Sequence, residues 1–500
     1  SKEFPIGLNN TVHNNKQANA APSVALSLLP LILLIASLVC IIVYKGADAV
    51  AEFGPLTLLG CAGLSVLLTW LSGTFHKDEY VTGLKRSFSD VLPTLGILVC
   101  IAMISATWML SGIVPTMITY GLSVMNPNIF LFVTCAVCSC VSVLLGSSWT
   151  TIATIGVAFL GIGQVLGYSD GWIAGAIISG AYFGDKVSPL SDTTAVASST
   201  CKVELFTHIR YLMITAIPTM TIALLVFLIV GFFVDSHAVS HSADISRELE
   251  EYFNISPWLL IVPVITGTMC AFRVKSLIVL SVSALMGLVC IFIAQPHIMP
   301  IINDNAFMAS LHVLCAPTQL PTPDPMLGEL ISTGGIYGML PTIFLVVCAM
   351  VFGGSLIGTG MLRSLTGALT NVLKGRNSIV TATVGTGLVL NSCTADQYIS
   401  LIIGGNLYGN LYKEAGLEPR LLSRSIEDSI SVTSPLIPWN SCGLTQSTVL
   451  GISTVVYLPY CIFNYLQPLM SIFMARIGYK ISQTPTHVAH AHAFSHHSNH

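Results

Sequence analysis

Charge is what this sequence has least of. Only 9% of its 500 residues are Asp, Glu, Lys or Arg, against about 25% in a typical soluble domain. Hydrophobic residues make up 53%, and mean hydropathy is +0.79. That balance excludes a soluble enzyme with one anchor and implies an integral membrane protein with many helical spans. The net charge is −3 and no basic domain is visible, so no nucleic-acid partner is expected. A Walker-type Gly-Lys-Ser/Thr loop is missing, so ATP is not expected to drive the protein directly. His13, His76, His208, His237, His241, His297 and His312 lack a ligand spacing such as His-Glu-x-x-His, which leaves metal catalysis without support. Nothing in the chain brings Ser148 and His312 together as nucleophile and base. The protein is not expected to be an enzyme, and no cofactor is expected. The 14 cysteines are scattered through apolar runs, and Cys135, Cys138 and Cys140 have no His or carboxylate neighbour. They read as small buried hydrophobes, without a disulfide framework.

What is present is a series of apolar runs. Val24–Val43 is long enough to span and too long for a typical signal core, so it is expected to stay as the first helix. Further spans are expected at Pro55–Leu71, Val91–Tyr120, Ile209–Val234, Pro257–Phe272, Ser276–Ala294, Ile336–Phe352 and Val449–Phe473. Ile129–Leu145 and Thr150–Leu166 form two legs around Ser147 and Ser148; Ser378–Leu390 and Thr394–Tyr412 form two legs around Asn391-Ser392-Cys393. Each pair suggests a helical hairpin, re-entrant or fully spanning. Trp172–Tyr182 runs into a polar stretch that continues to Ser199, and Leu421–Pro438 is interrupted. A Pro-rich connection covers Gln295 to Gly335. The fold class is therefore all-α and polytopic, with about 10–12 transmembrane helices, some of them broken.

The second half echoes the first. Ser148 and Ser392 lie 244 positions apart, Asp185 and Asp428 243, Pro189 and Pro435 246. Several matches near one offset imply two repeats. Lys77, Lys85, Arg86, Arg273, Lys275, Arg363, Lys374, Arg376, Arg476 and Lys480 mark cytoplasmic segments by the positive-inside rule, and the acidic Asp235–Asn254 is expected outside. Both termini are then cytoplasmic. The first span and its counterpart at Pro257 run in opposite directions, which is an inverted-topology repeat of the kind found in secondary transporters. The expected division is a mobile N-terminal segment (1–20), a first repeat (21–234), an extracytoplasmic connector (235–255), a second repeat (256–480) and a His-rich tail (481–500). That tail carries His487, His490, His492, His496, His497 and His500. It reads as a disordered tail or cloning remnant rather than a metal site.

The polar stretch Gly184-Asp185-Lys186-Val187-Ser188-Pro189-Leu190-Ser191-Asp192-Thr193-Thr194 is the centre of the chain. Charge at membrane depth costs roughly 3 kcal/mol per group on insertion scales, so it marks a site or a pathway. Proline breaks the helix and frees backbone groups, which is tolerated only along a cavity. Four polar clusters are expected to converge there. They are Ser147, Ser148, Thr150 and Thr151; Asp185, Ser188, Ser191, Asp192, Thr193 and Thr194; Asn391, Ser392, Thr394 and Asp396; and Glu427, Asp428, Ser431, Thr433, Ser434 and Asn440. Hydroxyls and carboxylates are the ligands of hard cations. Sodium is expected on Asp185, Asp192, Asp396 and Asp428, with Asp396 and Asp428 as structural struts the alternative. Burial favours a protonated carboxyl group and a bound cation favours the ionised one. One site can therefore hold a proton or sodium but not both, which is a basis for exchange. Lys186 is the one base expected nearby, charge-compensating through Asp185 or Asp192, or else a structural ion pair. An anion site would carry more Arg and Lys. Trp149 and Trp439 are expected to pack the tips. A channel would show a continuous pore-lining polar stripe, which is not seen.

At these residues the chain resembles the NhaC-type sodium/proton antiporter family. GDKVSPLSDTTAVAS, GSSWTTIATIGVAFLGIG, NSCTADQYISLIIGGNLY and SRSIEDSISVTSPLIPWNSCG carry the resemblance, which covers about Pro22 to Lys480. Ala195 stands where members carry Asn after the paired threonines. The resemblance implies broken-helix inverted repeats, exchange of cytoplasmic sodium for external protons at the bacterial inner membrane, and the acidic and hydroxyl positions above as ligands. It also implies a homodimer through the first spans and their counterparts. Members that exchange malate and protons for lactate and sodium make organic-anion antiport, with a small carboxylate partner, the alternative.

Overall fold

The computed structural model describes residues 22–46, 49–233, 247–322, 325–370 and 376–479. The N-terminal segment, most of the 235–255 connector, and the His-rich tail lie outside the described residues. The secondary structure among the described residues is helical, with one isolated bridge between Thr318 and Thr333. In a bilayer core each backbone polar group needs a partner within the protein, and a helix supplies them within one segment.

The helices run in order as α1 (Val24–Lys45), α2 (Ala49–Leu71), α3 (Lys77–Leu110), α4 (Ile113–Val124), α5 (Phe130–Leu145), α6 (Ser148–Val165), α7 (Asp170–Val187), α8 (Asp192–Thr200) and α9 (Leu205–Gly231). The second half continues with α10 (Pro257–Ala271), α11 (Ser276–Ala294), α12 (Ala306–Cys315), α13 (Gly335–Gly358), α14 (Met361–Thr370), α15 (Arg376–Thr394), α16 (Gln397–Glu414), α17 (Pro419–Ser429), α18 (Ser441–Leu450) and α19 (Ile462–Ile477). Eight helices among the described residues are long and apolar enough to cross a membrane. The chain is a polytopic membrane protein. Helices α7, α15 and α16 have the length but carry too many polar residues to qualify by composition.

Several boundaries differ from the sequence reading; among them, the expected span Val91–Tyr120 is two helices, because the chain breaks at Ser111-Gly112, where Gly112 takes φ +80°. The third span starts at Lys77 rather than Val91, because the basic Lys77–Arg86 segment is itself the first turns of α3. The second hairpin turns at Ala395, not at Asn391–Cys393, which lie within the last turn of α15. The final apolar run is not one span: Gly451, with φ +66°, ends α18, and α19 starts eleven residues later. In each case the apolar run sets which residues are buried, while local turn geometry sets where the helix stops.

Two close approaches place the centre of the molecule. Gly180 and Gly184 face α5, where an added Cβ would lie 2.3 Å from the Cys135 carbonyl oxygen and 2.4 Å from that of Ser139. This small-x-x-x-small spacing lets α7 lie on α5 with backbones nearly touching. Across the halves, α3 lies along α11 and α13, and Trp108 Nε1 donates to the Ser283 carbonyl oxygen at 3.2 Å.

Candidate functional site

The first hairpin turns at Gly146. Its φ of +66° is left-handed, and a Cβ there would lie 2.6 Å from the Leu190 carbonyl carbon. Glycine is needed on both counts. Ser147 then caps α6, its Oγ accepting from the Thr150 amide at 3.2 Å. One turn later, Ile152–Gly156 widens into a π-helical segment, a feature that recurs at functional sites.

The start of α6 points at Asp185, near the end of α7. Asp185 Oδ2 accepts from the Ser148 amide at 3.1 Å and from Ser148 Oγ at 2.6 Å. Its Oδ1 accepts from Ser191 Oγ at 2.6 Å. The carboxylate is 8% exposed, and no basic side chain pairs with it among the described residues. It is held instead by a helix N-terminus and two hydroxyls, which favour negative charge.

Asp185 lines a cavity of about 60 Å³. The first half contributes Thr94, Ile97, Gly146, Ser147, Trp149, Thr150, Asp192 and Thr193; the second contributes Ser276, Gln397 and Tyr398. Asp192 is exposed at this cavity. Two carboxylates, several hydroxyls and one amide therefore face a space large enough for a small ion with a few waters. Ser276 follows the Arg273–Lys275 turn, so the cavity lies level with that turn. Trp149 lines the cavity, while Trp439 braces α15 by donating to the Ser392 carbonyl oxygen at 2.8 Å.

The four expected clusters do not meet at one point. They form this cavity and a separate buried layer on α17. Lys186 pairs with neither Asp185 nor Asp192. Its Nζ lies 2.7 Å from Asp428 Oδ1, with both side chains buried. The reason is helical geometry: Lys186 follows Asp185 by one position, about 100° round the helix, so the two face different neighbours. Asp428 Oδ1 also accepts from Thr215 at 3.2 Å and Gln467 at 2.9 Å. Beside it, Glu427 Oε1 accepts from Thr194 at 3.1 Å and Oε2 lies 3.0 Å from His208 Nε2. His208 Nδ1 lies 2.8 Å from Ser423 Oγ.

The other candidates have local partners. Ser188 Oγ donates to the Val143 carbonyl oxygen at 2.7 Å, and Ser392 Oγ to that of Leu388 at 3.0 Å. Asn391 Nδ2 donates to the Ile430 carbonyl oxygen at 2.6 Å. Asp396 caps α16, accepting from the Tyr398 and Ile399 amides at 2.9 and 3.0 Å, and also from Ser441 Oγ. Thr394 joins Ser400 and the Asp396 backbone. Ser434 donates to Ser431 and reaches Gln397, one layer behind the cavity wall.

Sequence reasoning missed Gln397, Tyr398, Thr94 and Ser276 in the cavity wall, and His208, Thr215, Gln467 and Arg424 in the buried layer. Lys186 is not the one base near the acidic groups. Arg424 is fully buried four residues before Asp428, its guanidinium stacked 4.5 Å from the Tyr211 ring centroid. The signal that could have found these was a polar residue inside an apolar run, as with His208, Thr215 and Gln467.

The Na+/H+ antiporter family matches residues 180–479, the stretch from Asp185 to α19. The chain belongs to the Na+/H+ antiporter family. The Na(+)/H(+) antiporter NhaC of Alkalihalophilus pseudofirmus is 33% identical over 80% of this chain and 85% of its own. The malate-2H(+)/Na(+)-lactate antiporter of Bacillus subtilis is 31% identical over 83% of this chain and 87% of its own. The arginine/ornithine antiporter ArcD of Halobacterium salinarum is 32% identical over 92% and 93%. As a member of an antiporter family, the chain is a transporter rather than an enzyme.

Proposed function

We propose that this protein exchanges sodium for protons across the bacterial cytoplasmic membrane by alternating access, with Asp185 as the carboxylate that holds one or the other. The observation that carries this reading is a buried carboxylate without a basic partner, facing a small hydroxyl-lined cavity. Sodium takes oxygen ligands, and Asp185, Asp192, Ser147, Thr150 and Thr193 supply them at the cavity wall. A proton on Asp185 removes the charge that attracts the cation, so occupancy by one expels the other.

In the same reading the two halves are inverted repeats, and both termini are cytoplasmic. The Arg273–Lys275 turn then faces the cytoplasm, and the cavity beside Ser276 is reached from that side. A homodimer through α1, α2, α10 and α11 belongs to it too; their outward faces carry Leu56, Trp70, Val264 and Leu285. Cross-linking in native membranes tests that contact.

No basic side chain lines the cavity among the described residues, which favours a cation over a carboxylate as its occupant. The curated relatives named above include organic-acid and amino-acid antiporters, so the deciding assay offers both. Purified protein is sealed into vesicles with an internal pH dye and given a pulse of sodium chloride. Proton movement driven by sodium alone supports the proposal. Movement that begins only when malate or lactate is supplied on the opposite side assigns the protein to organic-acid exchange.

A further inference from the structure

A second cavity, of about 340 Å³, lies between α15 and α19. Val384, Leu388 and Ser392 form one wall, and Tyr465, Leu469 and Ile472 the other. These residues are three or four apart on their helices, so each wall is a single helix face. Leu388 is 40% exposed and Leu469 58%, so the cavity is a groove open to the outside of the molecule. Neighbouring contacts fix the direction of the two helices. Asn464 donates to the Val432 carbonyl oxygen and Gln467 to Asp428, so α19 runs antiparallel to α17. A Cβ on Gly387 would meet Ser429, and Asn391 donates to the Ile430 carbonyl oxygen and to Thr433, so α15 runs parallel to α17. The groove therefore runs from Val384 and Ile472 at one end to Ser392 and Tyr465 at the other.

The hydroxyls in its wall are already spent. Ser392 Oγ donates to the Leu388 carbonyl oxygen, and Thr433 Oγ1 to that of Ser429. The Ser392 carbonyl oxygen accepts from Trp439. A bound water needs several polar partners, so the groove suits a hydrocarbon better. Its outer end leads to charge. Arg476 stands one turn beyond Ile472 on the same face of α19, exposed and without an ion pair among the described residues. Tyr479 follows, 49% exposed, a residue type that anchors helix ends at the headgroup level. Tyr465 to Arg476 covers about 16 Å of helix, and the hydrocarbon of one leaflet is about 15 Å deep. The groove is as long as a lipid tail and ends at a cation.

We propose that this groove binds one anionic phospholipid, with an acyl chain between α15 and α19 and its phosphate on Arg476. A guanidinium group holds a phosphate through two parallel hydrogen bonds. The tail ends against Ser392, in the last turn of α15 and three residues before Ala395 turns the second hairpin. The lipid thereby packs against the base of that hairpin. The proposal rests on the chain's place in a bilayer and not on what it exchanges, so its test reads no transport.

Purified full-length protein is placed in phosphatidylcholine vesicles with a trace of phosphatidylglycerol that carries a diazirine near the end of one acyl chain. A parallel sample receives phosphatidylcholine with the same tail. After illumination, mass spectrometry locates the attached lipid. Attachment is expected within 384–392 and 465–472, about fivefold greater for phosphatidylglycerol, the preference that one arginine near the surface gives. Arg476→Gln is expected to abolish that preference. Leu469→Trp fills the groove and is expected to abolish attachment to 384–392, while attachment to the exposed face of α1 stays unchanged. Equal attachment of the two lipids means loosely held boundary lipid only and overturns the proposal. So does attachment that Leu469→Trp leaves unchanged, or a groove that stays unlabelled because a second copy of the chain covers it. Leu469 and Arg476 both face outward, so neither substitution disturbs the packed interior and each reads without the other.

Discussion

Asp185 and Asp428 lie 243 positions apart in the sequence, and their surroundings differ. Hydrogen-bond donors hold Asp185 open to a cavity, whereas a lysine from the other half neutralises Asp428. Asp185→Asn is therefore expected to abolish sodium-driven proton movement in vesicles while membrane insertion stays normal; unchanged transport would remove Asp185 from the exchange site. Lys186→Ala leaves a buried carboxylate without its counter-charge, a loss of about 3–5 kcal/mol. Thermal unfolding in sodium-free detergent should show that loss, and Lys186→Met/Asp428→Leu should recover most of it, since an apolar pair removes both charges. At this scale the sequence singled out Asp185 by its charge inside an apolar protein. It did not assign the partner of Lys186, because Asp185, Asp192 and Asp428 are chemically equivalent until packing selects one.

At the scale of single elements, the hairpin tip and the helix caps decide the site. Gly146 needs a left-handed backbone and has the Leu190 backbone against it. Gly146→Val adds about 1–2 kcal/mol of backbone strain and a steric clash. The expected result is a chain that still inserts but exchanges at least tenfold more slowly in the vesicle assay. Glu204, exposed before α9, caps that helix by accepting from the Phe206 and Thr207 amides at 3.0 and 2.7 Å. Hydrogen bonds from Thr207, and then from Phe206, hold its carboxyl below the usual value. A lowered folded-state value means the cap's contribution is full above the unfolded value of about 4.3. It is lost as pH falls through the folded value. Hydrogen exchange in the first turn of α9, compared between wild type and Glu204→Gln, should differ at neutral pH and converge in acid. The hairpin's existence was legible in its Ser-rich break. The second tip was misplaced because Asn391-Ser392-Cys393 looks like a break, while the helix continues until Ala395 turns left-handed with φ +58°.

On the scale of the whole molecule, the cavity is built by both halves. Thr94 and Asp185 come from the first, and Ser276, Gln397 and Tyr398 from the second. A cysteine at Ser276, with the exposed Cys40 and Cys140 replaced, should react with an impermeant thiol reagent from the side of the Arg273–Lys275 turn. Sodium should slow that reaction; labelling from the opposite side, or no effect of sodium, would count against the proposed orientation and cavity. The sequence by itself determined that the chain is helical and membrane-embedded, that its helices break at polar stretches, and that Asp185 lies at a break. Those properties follow from hydropathy, helix periodicity and proline or glycine chemistry, all of which act locally. Only the tertiary structure decided that the acidic residues separate into a cavity and a buried layer. It alone brought Lys186 to Asp428, Glu427 to His208 and Gln397 to the cavity wall. Periodicity says which face of a helix is polar, but which other helix that face meets depends on packing between segments more than 200 residues apart.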